Sequence, residues 1–131
     1  MESQSDKITS FIHLDTWREA HQLVLMVYEA TKRFPREEML GLTNQMRRAV
    51  VSVSSNVAEG FTRRSALEKA QFYSIAQASN TELQNQLLVA RDVGYLKRED
   101  FPKIANQSVR VGKLISGMIR HVRKSGQSIS D

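Results

Sequence analysis

The sequence contains no cysteine, which excludes disulfide bonds, thiolate metal sites and cysteine nucleophiles. It also contains only two prolines, Pro35 and Pro102. An interior proline removes a helix hydrogen bond and clashes with the preceding turn, so this scarcity favours long helices. The missing thiols are compatible with a reducing compartment.

Long apolar runs are absent as well. No stretch of about 18 apolar residues occurs, so no segment is predicted to span a membrane. The first ten residues are polar and include Glu2 and Asp6, and they lack the basic start and apolar centre of a signal peptide. We therefore expect a cytoplasmic protein without a membrane partner.

The composition is that of one globular domain with a basic surface. A chain of 131 residues can bury a single core, and its 40% hydrophobic residues separate it from disordered sequences. The formal net charge is +5 and the pI is about 9.8. Such a charge attracts polyanions, although it bears on association rather than on fold.

Hydrophobic periodicity predicts an all-α fold with four helices. Short connections make consecutive helices antiparallel neighbours. The expected domain organisation is a flexible tail over residues 1–12, a four-helix bundle over 13–124 and a second flexible tail over 125–131. The helices are predicted from Asp15 or Thr16 to Phe34, from Glu38 or Leu42 to Gly60, from Ser65 to Val93, and from Glu99 or Asp100 to Ser125.

Two helix starts carry the spacing of a capping box, in which two residues satisfy each other's free backbone N–H. The first pair is Thr16 with Glu19, and the second is Ser65 with Glu68. Glycines mark two helix ends: Gly94 is predicted to end the third helix, and Ser125-Gly126 the fourth.

No catalytic, cofactor-binding or metal-binding residue is predicted. The three histidines, His13, His21 and His121, lack the i, i+4 spacing of a helical metal site. The sequence also has no glycine-rich phosphate loop and no Gly-x-Ser-x-Gly nucleophile elbow. We therefore expect the protein not to be an enzyme.

The second helix carries a polar face that allows two interpretations. Arg48, Ser52, Ser55 and Glu59 recur in steps of four, three and four, and Asn56 lies near the apolar stripe. They would form either a site for a ligand or phosphate, or a hydrogen-bond and ion-pair network holding helices or subunits in register. We favour the network, because polar groups at helix seams often specify geometry.

The fourth helix has a one-sided charge pattern, with six basic and no acidic residues between Phe101 and Ser130. At 100° per residue, five of them fit within an arc of about 100° opposite the apolar face. Two interpretations stay open: a stripe that tracks a phosphate backbone, or a solvated face that suits the helix C-terminus. The candidate nucleic-acid-binding residues are Lys103, Arg110, Lys113, Arg120 and Lys124.

Several motifs together resemble those of the bacterial four-helix bundle protein family, which includes proteins encoded by intervening sequences in large-subunit ribosomal RNA genes. The resemblance covers about Phe11 to Arg123. It rests on Leu14-Asp15-x-Trp17, Tyr28-x-x-Thr31-x-x-Phe34-Pro35, Gly41-Leu42-x-x-Gln45-Met46-Arg47-Arg48-Ala49, Asn56-Val57-Ala58-Glu59-Gly60 and Glu82-Leu83-x-x-Gln86-Leu87.

The resemblance implies an up-down-up-down antiparallel bundle that assembles into a ring-shaped homopentamer without enzymatic activity. The family is similar in fold to the accessory protein of diversity-generating retroelements, a basic pentamer that works with a reverse transcriptase and nucleic acid. The expected partners are therefore further copies of the chain, RNA or DNA, and a protein such as a reverse transcriptase. Arg47, Arg48, Asn56 and Glu59 carry over as motif positions of structural or interface importance.

Some apolar residues lie off the predicted inward seams, whereas Ile75 and Leu83 are assigned to the seam of helix 3. Exposed apolar patches often mark interfaces, which agrees with a ring. The resulting hypothesis is a non-enzymatic scaffold that binds RNA or DNA through helix 4, and the alternative is a protein–protein adaptor without nucleic-acid binding. The off-seam residues are Leu25, Val51, Tyr73, Leu88 and Val89.

Overall fold

The computed structural model describes residues 10–130, with side chains through residue 126. Within this range the chain is all-helical and contains no β-strand, which confirms the predicted class and the number of long helices. A short 3-10 turn at Arg36–Glu38 connects the first two helices. The helices are α1 Asp15–Thr31, α2 Leu42–Thr62, α3 Ala66–Asp92 and α4 Asp100–Ser130.

Only one of the two predicted capping boxes forms a cap. The Ser65 hydroxyl accepts a hydrogen bond from the Glu68 backbone N–H at 3.0 Å, as expected at the start of α3. The prediction for Thr16 is wrong: α1 is preceded by Leu14, which makes no side-chain cap, and Thr16 is buried inside the helix. Glu19 instead turns to α4, where its carboxylate accepts a hydrogen bond from Gln107.

The helix ends follow tertiary packing as well as local signals. Gly94 ends α3 with φ of +85°, a left-handed conformation that glycine adopts without strain. The predicted end at Ser125-Gly126 is wrong, because α4 continues to Ser130. A Cβ at Gly126 would lie 3.1 Å from the Cβ of Ala66, so this glycine permits a close approach to the start of α3.

The expected N-terminal tail is in part attached to the fold. The rings of Phe11 and Trp17 pack edge to face, with centroids 5.3 Å apart. The Arg18 side chain also donates a hydrogen bond to the carbonyl of Ile12. Residues 1–9 and 131 lie outside the described part of the chain.

One hydrophobic core lies between the four helices, where α1 and α3 each contact both α2 and α4. Most of the predicted apolar stripes point into this core. No helix within the described range is long and apolar enough to cross a membrane. The largest fully buried aliphatic side chains are Leu23, Val27, Met46, Val50, Val53, Val57, Leu83, Leu87, Ile104, Val111 and Ile115.

The predicted seam of α3 is wrong at Ile75 and Tyr73, although it is correct at Ala76. Ile75, a predicted seam residue, is 49% exposed, whereas the off-seam Tyr73 is only 1% exposed. Residues two positions apart in a helix are separated by about 200° around its axis. The side chains of Tyr73 and Ile75 must therefore lie on nearly opposite faces. The larger aromatic ring occupies the core together with Ala76, and Ile75 faces outward.

A buried polar contact joins α3 to α4. The amide of Asn80 donates to the carbonyl of Ser108 at 2.9 Å, and the Ser108 hydroxyl donates back to Asn80 Oδ1 at 2.7 Å. Gln84 donates to the same hydroxyl at 2.9 Å. One turn further along α4, Gln77 donates to the Gly112 carbonyl at 3.0 Å. These bonds satisfy side chains that would otherwise be costly to bury.

We expect Ser108→Ala to lower the free energy of unfolding by about 1–3 kcal/mol, because the buried Asn80 Oδ1 loses its hydrogen-bond donor and the half-buried Gln84 amide loses its acceptor. Urea unfolding followed by circular dichroism measures this change. Ser74→Ala, at an exposed position of α3, is the matched control and should change stability by less than about 0.5 kcal/mol. Equal stability of the two variants would show that the contact contributes little.

Candidate nucleic-acid interface and neighbouring polar sites

Helix α4 separates its apolar and basic residues onto opposite sides. Ile104, Val111 and Ile115 lie in the core with almost no exposed surface. The five candidate cations all project into solvent, as the predicted arc requires. These exposed residues, which we call the α4 basic face, are Lys103, Arg110, Lys113, Arg120 and Lys124.

One member of the α4 basic face is already paired. Arg110 Nε lies 2.9 Å from Glu19 Oε1 on α1, with the arginine side chain 67% exposed. A pair this exposed contributes little to stability and can exchange for another anion. Within residues 10–126, the other four cations of the face form no ion pair. They are therefore free to contact an external anion.

Two of these cations border a shallow polar depression between α3 and α4. Lys113 and Arg120 line it together with Gln77 and Gln84, and its volume is about 410 Å³. The two cations suit phosphate oxygens, whereas the amide nitrogens of Gln77 and Gln84 already donate to α4. The geometry is therefore compatible with a phosphate backbone crossing this side of α4.

Arg47 and Arg48 point in different directions although they are adjacent in sequence. Arg47 Nε donates to the Thr31 hydroxyl at 2.9 Å, and its guanidinium lies 4.7 Å from the centre of the Tyr28 ring. It therefore attaches α2 to the end of α1. Arg48 is exposed and borders a separate polar depression of about 320 Å³ together with Glu82.

Asn56 and Glu59 also have separate surroundings. Asn56 donates to the carbonyl of Ser52 at 2.8 Å and to its hydroxyl at 3.1 Å. Ser52 in turn is hydrogen-bonded to Ser79 of α3 at 2.8 Å. Glu59 forms an exposed ion pair with Arg63 at 2.9 Å. The four motif residues thus do not converge on one ligand site. Arg47 connects α2 to α1, and Asn56 supports Ser52, which connects α2 to α3.

The histidines are dispersed. The ring of His21 stacks on that of Trp17 with centroids 4.8 Å apart, while His13 and His121 are exposed elsewhere. Among the described residues, no group of three or more histidine or carboxylate side chains could hold a metal ion.

A cavity that the sequence did not predict lies near the C-terminal half of α4. It has a volume of about 720 Å³, and Tyr73 and Met118 lie on its wall. Burial raises the pKa of Tyr73 to about 12, so its hydroxyl keeps its proton at ordinary pH. The signal available in the sequence was Gly117 inside the predicted fourth helix, since an interior glycine weakens a helix and therefore indicates a packing requirement.

A family model described as the 23S rRNA-intervening sequence protein matches residues 13–117. The chain belongs to the 23S rRNA-intervening sequence protein family. Its fold is similar to the crystal structure of a protein with unknown function from the S23 ribosomal protein family of Bacteroides thetaiotaomicron. The TM-score is 0.74 at 19% identity, over 79% of this chain and 97% of that chain. At this identity the likeness establishes the fold alone. No curated protein matches the sequence.

The range that matches the 23S rRNA-intervening sequence protein family divides the α4 basic face. Lys103, Arg110 and Lys113 lie inside residues 13–117, as do all four polar motif positions of α2. Arg120 and Lys124 lie beyond it. The basic face of this chain therefore extends past the segment on which the family match rests.

Two helical glycines predict opposite responses to alanine. A Cβ at Gly60 would lie 2.5 Å from Tyr73 Cε1 and 3.1 Å from the Cβ of Phe72, so Gly60→Ala should lower stability by about 1–3 kcal/mol. A Cβ at Gly117 would approach only the end of Arg120, at 3.7 Å. Gly117→Ala should therefore raise stability by about 0.5–1 kcal/mol through helix propensity.

Thermal and urea unfolding of both glycine variants measure this difference. A Gly60→Ala protein as stable as its Gly117→Ala counterpart would mean that the Tyr73 ring is not held against α2.

Proposed function

We propose that this protein is a non-enzymatic, homo-oligomeric scaffold that binds RNA or DNA through the α4 basic face. The observation that carries the proposal is the exposure of all five cations on a helix without an acidic residue after Asp100. Four of them make no ion pair among the described residues. Phosphate groups neutralised by such cations release counterions, which supplies binding free energy without sequence readout.

The proposed subunit is an up-down-up-down antiparallel four-helix bundle, a topology supported by the order of contacts between helices. Gln77 bonds to Ser116 and Gln84 to Ser108, so positions rise along α3 as they fall along α4. Arg33, just after α1, pairs at 2.7 Å with Asp100 at the start of α4. Short connections also favour antiparallel neighbours.

Exposed apolar side chains support a homo-oligomer, for which we propose a pentameric ring. Of the five off-seam residues, only Tyr73 is buried in the single chain. Leu25 on α1 is 52% exposed and Leu88 on α3 is 43% exposed, and Val51 and Val89 are similarly accessible. Subunit contacts would remove this surface from water. A ring would also present five copies of the α4 basic face, so that weak phosphate contacts act together.

The second candidate function is a protein–protein adaptor, in which the same apolar residues contact a different protein such as a reverse transcriptase. The candidates differ in what remains bound after nuclease treatment. A stoichiometric protein partner that survives nuclease, with no retarded nucleic-acid species, would favour the adaptor.

We expect the variant Lys113→Gln, Arg120→Gln and Lys124→Gln to lose most of its affinity for nucleic acid. Electrophoretic shift assays with a 23S rRNA fragment and duplex DNA at two salt concentrations provide the measurement. The family's description motivates the RNA probe. Wild-type binding should weaken as salt rises, and the logarithmic salt slope should decrease by about one for each phosphate contact removed.

The matched control for this variant is Arg36→Gln, Lys97→Gln and Arg98→Gln, which removes the same charge from exposed positions outside α4. It should retain most of the affinity. Equal losses in the two variants would indicate attraction to net charge alone, and no retarded species at low salt would reject nucleic-acid binding.

Native mass spectrometry should give a species of five times the 14.9 kDa chain mass. Val89→Glu should shift this species to smaller assemblies, because a carboxylate in an apolar interface loses its hydration. Gln71→Glu adds the same charge at an exposed polar position of α3 and should leave the assembly intact. A monomer at every concentration of the wild-type protein would contradict the proposed oligomer.

A further inference from the structure

The cavity at the C-terminal half of α4 has the size and lining of a small-molecule site. Its volume of about 720 Å³ falls within the usual range for such sites, and its exposed wall is mainly apolar. Every long helix contributes to the wall or its rim: Thr16 from α1, Phe61 from α2, Tyr73 from α3, and Leu114 and Met118 from α4.

Tyr73 contributes to this wall. Tyr73 is 1% exposed and lines the cavity, and its hydroxyl makes no hydrogen bond within the described residues. The hydroxyl is thus available to a ligand that carries an oxygen acceptor.

The rim of the cavity is positively charged. Arg64, Lys113 and His121 border it, and Asp15 is the one acidic lining residue among those described. Lys69 also lines it, but its ammonium group donates to the carbonyls of Gly60 and Phe61, at 3.3 and 2.7 Å. Arg64 and Lys113 form no ion pair within the described chain, so the rim favours an anionic head group.

We propose that this cavity binds a small amphipathic anion, an apolar chain or ring bearing a carboxylate or phosphate. The apolar part packs against Leu114 and Met118, and the anionic group contacts Arg64 and Lys113. The Tyr73 hydroxyl donates a hydrogen bond to an oxygen of the ligand. This site shares Lys113 with the proposed phosphate-backbone contacts, but Arg64, Tyr73 and the apolar wall lie outside the α4 basic face, and its occupancy needs no nucleic acid.

Titration calorimetry of the full chain with decanoate and with decyl phosphate tests the proposal and distinguishes the two head groups. We expect saturable binding of at least one, and binding at least tenfold weaker for decanol and for decyltrimethylammonium. Absence of saturable binding by both anions, or equal affinity for decanol, would overturn the proposal.

Gly117→Leu places a side chain in the cavity at a position where a Cβ meets only the end of Arg120 at 3.7 Å. The protein should stay folded, because leucine has a higher helix propensity than glycine, while affinity for the anion falls at least tenfold. Asn106→Leu adds a leucine to the exposed side of α4 outside the cavity and should leave affinity unchanged.

Tyr73→Phe removes no hydrogen bond within the described chain, so it should preserve stability while weakening anion binding several-fold. If Gly117→Leu lowers the oligomer mass and the anions do not bind, a second copy of the chain covers the cavity and the ligand proposal is rejected.

Charge variants separate this site from the proposed function. Arg64→Gln should weaken decanoate or decyl phosphate binding several-fold with little effect on nucleic-acid binding. Lys103→Gln, on the α4 basic face but outside the cavity, should do the reverse. Loss of nucleic-acid binding with intact anion binding would reject the proposed function alone, and the converse would reject the cavity ligand alone.

Discussion

The reciprocal hydrogen bonds between Asn80 and Ser108 constrain how α3 and α4 meet. Apolar side chains can slide or rotate against each other at modest cost, whereas a buried amide must meet its partner within hydrogen-bonding distance. The contact therefore favours one axial and rotational position of α4. Gly112 shares this constraint, since a Cβ there would lie 3.2 Å from the Asn80 amide nitrogen.

This rotation of α4 decides what its outer surface carries. With Ser108 and Val111 buried, Arg110 and Lys113 must face solvent, because each lies about 100–200° from a buried neighbour. The cations themselves contribute little to folding, as exposed charges are well hydrated. Folding therefore does not require these cations, and they can be used to bind a partner.

The cavity and the α4 basic face share Lys113 but differ in physical character. The basic face is open and polar, and it can attract any polyanion at long range. The cavity is mainly apolar and is lined by Tyr73, so the ligand proposed for it would be selected by shape and by a single hydrogen bond. Gly60 makes this arrangement possible, because any side chain there would occupy the space of the Tyr73 ring.

The helical class, the approximate limits of the helices, the Ser65 cap and the outward arc of cations were all predictable from residue order. They depend on local backbone preference and on a helical period of 3.6 residues, both of which are set by residues close together in sequence.

The failures at Thr16, Ile75 and Gly126 have a different origin. Each depends on residues distant in sequence: Glu19 turns to α4, Tyr73 displaces Ile75 from the core, and Gly126 meets Ala66. The separate surroundings of Arg48 and Glu59, and the cavity beside Tyr73, likewise arise only when four helices pack, because competition for core volume is settled between helices rather than within one.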